Sequence, residues 1–313
     1  MDAPRSPGPR DPIERLARAR EWNERWISAQ YASRTSGRGR ECWQAWDDER
    51  DAIDYWERSA AREATRGRVV DLLALIDGTW NVLDIGAGPG PLALPLAGKA
   101  SRVTAIEPAA GMVTVLERNI AERRLSNVDI IRKKWDDVEI GKDIAPVYDL
   151  VLASYSLGML DLLESVRKMI AAARREVVIY WHAGPQAWDV EAAVLWPLLH
   201  GRAFSPIPKA DIVFNLLYSL GIYPDVRSIP SSFVTGFRTM DEAVEAYGRR
   251  FEAPEGVKRQ ALREYLERTL ISTDAGFEQR DKNTGMRISF HVTSDLDWIK
   301  DIEPNELENR SIK

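Results

Sequence analysis

The 313-residue sequence predicts an α/β fold, a mostly parallel sheet with helices on both faces beneath an N-terminal helical cap. Three observations predict it. Between residues 81 and 184, apolar runs of strand length alternate with helix-length segments. The first run, "NVLDIGAG", passes straight into a glycine-rich turn and then a helix. Five of the eleven tryptophans (Trp22, Trp26, Trp43, Trp46 and Trp56) fall before residue 60, in a stretch that reads as helices.

In chain order, residues 1–12 are rich in proline, glycine and charge, the composition of a disordered arm. Residues 13–76 read as helices, with a break at "SRTSGRGR" (33–40). Trp46, Ile53, Trp56 and Ala60 are spaced by seven, three and four, which places them on one helical face. "NVLDIGAG" is a buried strand. "PLALPLAGKA" reads as a helix in which Pro91 is tolerated in the first turn and Pro95 confines or kinks it. Then follow strand "RVTAIEP", helix "GMVTVLERNIAERRL", strand "NVDIIRKKW", strand "YDLVLASYS", helix "DLLESVRKMIAAARR" and strand "EVVIYWHAG". After Gly184 the rhythm changes. Helical patterns at 186–204 and 209–222 precede a strand, "PDVRSIPSSF"; two more helices follow, then a turn-like "RDKNTG" and a last strand, "GMRISFHVTSD".

Composition narrows the class. The net charge of −5 argues against binding nucleic acid through overall charge, although residues 1–40 carry nine arginines against five acids. A single cysteine, Cys42, allows no disulfide within the chain and fits a reducing compartment. No apolar run approaches the roughly 18 residues of a membrane span, and the N-terminus has no secretory pattern; a cytoplasmic protein is expected.

The glycine turn is D-x-G-x-G-x-G: Asp84, Ile85, Gly86, Ala87, Gly88, Pro89, Gly90. Glycines let the backbone turn sharply and admit a ligand close to the chain. Glu107 ends the next strand, about 20 residues on, where a Rossmann-like fold sets a carboxylate on ribose hydroxyls. A dinucleotide fingerprint would put its third glycine at position 91, which is Pro91, so a nicotinamide-dependent oxidoreductase is disfavoured. Asp84 beside the loop would repel a pyrophosphate but suits a ligand with a cationic end.

"VLDIGAGPGPLALPLA", "VTAIEPAAGMVTVLERN" and "YDLVLASYSLGML" resemble the first motif, the acidic region after it and the fourth motif of class I S-adenosylmethionine (SAM)-dependent methyltransferases, over roughly residues 50–185. The resemblance implies a seven-stranded sheet of order 3-2-1-4-5-7-6 with the last strand antiparallel. It implies an N-terminal helical cap at 1–67 and a SAM-binding domain at 68–313, with 185–222 a helical insertion between strands 5 and 6 on the acceptor side. It also implies that Gly86, Gly88 and Gly90 lie under the methionine part of SAM, that Glu107 takes the ribose and that Met112 flanks the adenine. Asp84, Ala87, Pro108 and Ser154 complete the expected cofactor set. Lys133 and Lys134 stand where many members carry Gly-Asp, so Trp135 or Asp136 is expected to line the adenine pocket; a turn cap is the structural alternative for Asp136.

Ligands of parallel sheets bind at the strands' carboxyl ends. Tyr155 after strand 4 and His182 after strand 5 are therefore the candidates for chemistry, His182 as a base titrating near neutrality. His200 and His291 read as structural, and no metal site is expected. "ASYSLG" lacks the Asn-Pro-Pro-Tyr pattern of base-amino methylases, which disfavours nucleic acid. The sequence thus points to transfer of a methyl group from SAM, which becomes S-adenosylhomocysteine (SAH), to a small, partly apolar acceptor. The rivals are an RNA or protein methyltransferase and a non-catalytic SAM-binding scaffold. The Trp-rich helices are core, an aromatic lid or a homodimer surface.

Overall fold

The structure, a computed structural model, describes residues 11–37, 42–61, 63–145, 147–253 and 255–302. Residues 1–10 of the expected disordered arm lie outside these. Helix α1 (Pro12–Ser36) starts inside that arm because Asp11 caps it: its carboxylate accepts from the Ile13 amide at 3.1 Å, and Pro12 sits where no amide donor is needed. The helix continues through Ser36, so the first four residues of the break expected at 33–40 are helical. Its buried stripe is Ala19, Asn23, Trp26 and Gln30, half polar and half apolar. These side chains grip the loop at 157–163. Asn23 donates to Asp161 at 3.1 Å and accepts from the Leu163 amide at 3.0 Å; Trp26 and Gln30 donate to the Met159 and Leu157 carbonyls.

A 3-10 turn at Cys42–Trp46 precedes α2 (Glu49–Ala61) and α3 (Glu63–Leu75). Trp46 therefore lies in a separate turn from Ile53 and Trp56, not on one continuous helix with them; the Ala60 side chain lies outside the described residues. The α3 helix runs across the domain boundary expected at residue 67.

Strands and helices then alternate: β1 (Asn81–Ile85), α4 (Ala93–Ala97), β2 (Arg102–Ile106), α5 (Ala110–Glu122), β3 (Val128–Ile131), β4 (Tyr148–Ser154), α6 (Leu162–Ala172) and β5 (Ala173–His182). The helix expected over 91–100 shrinks to Ala93–Ala97, as two prolines in five residues dictate. Beyond β5 come α7 (Ala187–His200), α8 (Ala210–Ser219), β6 (Asp225–Phe237), α9 (Met240–Arg250), α10 (Gly256–Thr269), β7 (Ile271–Thr273), β8 (Gly276–His291) and α11 (Asp297–Lys300).

The sheet order is β3-β2-β1-β4-β5-β8-β6, with β8 antiparallel to both neighbours and the short β7 beside it. This is the expected order with one added strand. The turn expected at "RDKNTG" is instead the middle of β8. Its polar residues have partners that keep the chain extended: Gln279 donates to Asp281 at 3.0 Å, and Asn283 accepts from the Ala187 amide at 2.7 Å.

Side chains alternate across a strand with period two, and β5 shows it. Val177, Ile179 and Trp181 face the core shared with α1, α6 and α8, while Val178 and Tyr180 face the core over α3 and α4. A separate core joins α7, α9 and α10 through Trp196, Tyr247 and Leu262, with Phe237 and Phe277 from the distal ends of β6 and β8.

Asp71 fastens the cap to the sheet. It accepts the Tyr180 phenol at 2.7 Å and pairs with Arg227 at 2.8 Å and Arg287 at 2.9 Å, so one carboxylate on α3 holds β5, β6 and β8. Asp71→Ala leaves the mostly buried Arg287 without its charge partner. It is expected to lower unfolding free energy by about 2 kcal/mol, read by urea denaturation followed through tryptophan fluorescence.

Candidate active site

The parallel register aligns the carboxyl ends: Ile85 pairs with Ile106 and Ala153, Ile106 with Ile131, and Ser154 with Tyr180. At that edge the chain turns through Gly86, Gly88 and Gly90, with φ of +70°, +55° and +93°. The amides of Gly86 and Ala87 both donate to the Ile106 carbonyl, at 2.8 and 3.0 Å. A Cβ at Gly86 would stand 2.4 Å from the Ser156 Cβ, and one at Gly90 would stand 2.7 Å from Leu94 and Leu116. Gly88 differs. Its nearest neighbours would be the Met112 sulphur at 3.9 Å and the Tyr55 ring at 4.0 Å, so its glycine is demanded by backbone angle rather than by crowding from the protein.

Glu107 is buried and bridges two elements. One carboxylate oxygen accepts from the Gly88 amide at 2.8 Å, the other from the Ala109 amide at the start of α5, at 2.9 Å. Burial raises its pKa, and those two amides work against the rise. Pro108 lies half-buried between these contacts. Met112 is buried with Ala52, Ala109 and Val115, against Trp43, Trp46 and Tyr55 of the cap. The cap approaches α5 closely: a Cβ at Gly111 would stand 2.7 Å from the Trp46 and Asp48 carbonyl oxygens, and the Ala110 amide donates to Asp47 at 3.2 Å. Part of the tryptophan cluster is thus used within the chain, against α5.

Asp84, 2% exposed, is the second buried carboxylate beside the loop. Burial, then repulsion from Glu107, pushes its pKa up to about 7; Arg68 and the Ala93 amide oppose the shift. The two acids sit next to positive-φ glycines with no side-chain cation paired directly to either among the described residues. That donor set fits a ligand with a sulfonium, an ammonium and ribose hydroxyls, and disfavours a pyrophosphate.

On the other side of the loop, Tyr155 follows β4 in the left-handed region, with φ of +56° and its amide bonded to the Tyr180 carbonyl at 2.9 Å. Its ring lies 4.8 Å from the His182 ring, which meets Trp188 edge-on at 5.0 Å. A Cβ at Gly285 of β8 would stand 2.0 Å from the Tyr155 hydroxyl, so that glycine makes the room the phenol fills. Burial raises the Tyr155 pKa. Burial among these rings, then the nearby Lys209 charge, lowers that of His182 to about 3, with Gln186 opposing. His182 is therefore in the expected place but does not titrate near neutrality. Of the aromatics in the insertion, Trp188 faces this wall. Trp196 and Phe204 belong to the separate helical core, and Phe214 stacks on Tyr218.

Trp135 departs from expectation. Its indole is 4% exposed in the core on the α6 side, donates to the Ser165 carbonyl at 3.3 Å and lies under Lys168. It does not belong to the cluster around Met112. Asp136 is exposed in the same 3-10 turn. Arg68 of α3 stands at the candidate site without a signal of its own in the sequence reading. Its guanidinium bonds the Ser154 hydroxyl and stacks over the Tyr155 ring at 5.0 Å. Its position one turn before Asp71 on a cap helix was the only available signal.

Residues 82–177 match the family model described as a methyltransferase domain. That segment runs from β1 into β5 and holds the glycine loop, Glu107 and Tyr155, so the likeness falls on the part of the chain that builds the candidate site. An uncharacterised protein of Haemophilus influenzae is 32% identical over 148 residues, 47% of this chain and 53% of the relative. The chain thus spans about half the length of that relative. A probable ribosomal RNA small subunit methyltransferase A of Methanosphaera stadtmanae is 45% identical over 51 residues, 16% of this chain and 19% of that protein. Among solved structures, a methyltransferase candidate from Bacillus halodurans C-125 is similar with a TM-score of 0.52 and 13% identity, over 72% of this chain and 99% of that one. The YcgJ protein of Bacillus subtilis gives 0.51 and 14%, over 73% and 97%. Both are likenesses of fold. Among the described residues, no helix is long and apolar enough to cross a membrane.

The buried acid and the imidazole give two titrations to check. The folded pKa of Asp84 lies above the unfolded one, so its contribution to stability is present below about pH 4 and lost as pH rises to about 7. Asp84→Asn removes that loss: the ligand-free variant is expected to melt about 5 °C above the parent at pH 8, with the gap closing towards pH 4. For His182, the folded pKa is depressed, so the ring stays neutral in the folded protein down to about pH 3. Its NMR ring-proton shift is expected to stay flat from pH 8 to pH 5.

Proposed function

We propose that this protein is a SAM-dependent methyltransferase whose acceptor is a small, partly apolar organic molecule. The observation that carries the reading is the contact between loop and wall. Gly86, in the loop, lies directly against Ser156, and the neighbouring Tyr155 begins the ring-lined face completed by His182 and Trp188. A ligand over the glycines and a flat molecule on that wall would meet end to end.

In this reading Glu107 holds the ribose hydroxyls, Asp84 favours the cationic end, and the open side of Gly88 lies beneath the cofactor next to Met112. When bound, SAM supplies a sulfonium methyl group: the acceptor's nucleophilic atom bonds to that carbon, and the carbon–sulphur bond breaks with its electron pair left on sulphur. The residues' task is to align the two reactants and exclude water. Tyr155 and His182 act as the wall. With its pKa near 3, His182 accepts a hydrogen bond but is a weak base, which suits an acceptor that is already nucleophilic or gives up its proton readily.

Calorimetric titration with SAM, SAH and NAD tests the cofactor half: the first two bind and NAD does not. Gly88→Val and Glu107→Ala are expected to weaken SAM binding at least about tenfold while the circular dichroism spectrum is kept. Position 88 has space in the protein itself, so the loss there reports the cofactor; the backbone strain adds about 1–2 kcal/mol to folding. SAH release with members of an acceptor library separates an enzyme from a non-catalytic scaffold; a chain that binds SAM yet turns over nothing is the scaffold.

A further inference from the structure

We propose that Arg68 reads an anionic group on the methyl acceptor, and that the acceptor is a flat, largely apolar molecule carrying one carboxylate. The inference rests on the methyltransferase reading and specifies its substrate.

The cationic side chains around the ring wall differ in how they are used. Lys209 pairs with Asp189 at 2.6 Å, both side chains being largely buried. Arg227 and Arg287 both pair with Asp71. Arg68, one turn before Asp71 on the same helix, forms no ion pair with a carboxylate among the described residues. Its three nitrogens have neutral partners only: Nη1 the Ser154 hydroxyl, Nη2 the Thr65 hydroxyl at 3.1 Å, and Nε the Ala64 carbonyl at 3.3 Å. The flat cation lies 5.0 Å from the Tyr155 ring centre and 5.9 Å from that of Tyr180. A half-buried guanidinium gains most from a carboxylate, which takes its two terminal nitrogens side by side. Two hydroxyls now hold those nitrogens.

Position assigns the anion to the acceptor rather than to the cofactor. Arg68 bonds Ser154, a residue expected to serve the cofactor, but its flat face lies against Tyr155 and Tyr180 at the ends of β4 and β5, whereas Glu107, Gly88 and Met112 lie towards β2 and α5. The charge limits the ligand to one negative charge. Asp84 lies close enough to feel Arg68 and would repel a dianion, and Lys209 is already paired. The body of the ligand is set by the wall of Tyr155, His182 and Trp188, whose faces suit stacking.

The test is calorimetry on the SAH-loaded protein with two matched pairs of probes, 4-hydroxybenzoate against 4-hydroxybenzamide and indole-3-acetate against indole-3-acetamide. Each pair differs in charge and hardly in shape. The expected result is that at least one acid binds about tenfold tighter than its amide. Arg68→Gln should bring that ratio to near one, and Arg68→Lys should keep part of it. Both variants should bind SAH within about twofold of the parent, which also reports that they are folded. Acids that bind no better than amides, including no binding of either, overturn the proposal. So does a ratio that survives Arg68→Gln, or a tenfold loss of SAH affinity in that variant, which would give Arg68 to the cofactor's carboxylate. Failure of the unmodified protein to bind SAH is a different outcome: it removes the methyltransferase reading itself.

Discussion

One carbonyl organises the site. Ile106, the last residue of β2, accepts the amides of both Gly86 and Ala87, so the turn that leaves β1 is tied to the strand beside it. The next residue, Glu107, reaches across to the Gly88 amide and back to the start of α5. The turn, the strand end and the helix start are thereby fixed to one another within a few residues. Gly86, Gly88 and Gly90 all take positive φ in this turn, a backbone that favours glycine. The open side of the loop then meets Met112 and the cap. The crowded side, at Gly86, presses on Ser156 and sets how close the ring wall of Tyr155 and His182 can come.

The same edge concentrates charge. Two carboxylates are buried beside the loop, an arrangement that disfavours their ionised forms. The α3 helix distributes opposite duties to neighbouring turns. Asp71 gathers Tyr180, Arg227 and Arg287 and so fixes the helix on the far strands. Arg68, three residues earlier, is carried by that anchorage to the ends of β4 and β5. A helix that belongs to the cap by sequence is, by its contacts, fastened to the edge that holds the candidate site.

Much of this was legible in the sequence because its signals are local. The strand, the three glycines and the acid at the next strand end lie within 27 residues of one another, and each carries its own backbone or charge requirement. The parts that were not legible depend on distant partners. Arg68 meets Ser154 across 86 positions, and nothing near residue 68 announces it. Trp135 reads the same whether its ring faces a ligand or a core; its bond to Ser165 decides. "RDKNTG" has the composition of a turn, yet Asn283 uses its amide oxygen to receive the first turn of α7, and the ladder to β6 holds the chain straight. The α1 stripe has a broken apolar period because Asn23 and Gln30 dock through hydrogen bonds to a loop, alternating with Ala19 and Trp26, which enter the core. The low His182 pKa is a property of the enclosure, which a residue's position along a strand does not reveal.

The place of Gly285 on β8 has a consequence for the order of assembly. The strand that makes room for the Tyr155 phenol is made near the end of the chain, and it lies between β5 and β6 in the sheet. On a ribosome, residues 81–131 emerge early and hold every bond of the glycine turn. The completed seat of the Tyr155 phenol must wait until more than 150 further residues have been added. A nascent or C-terminally truncated chain is thus built to acquire its glycine turn first and the Tyr155 face last.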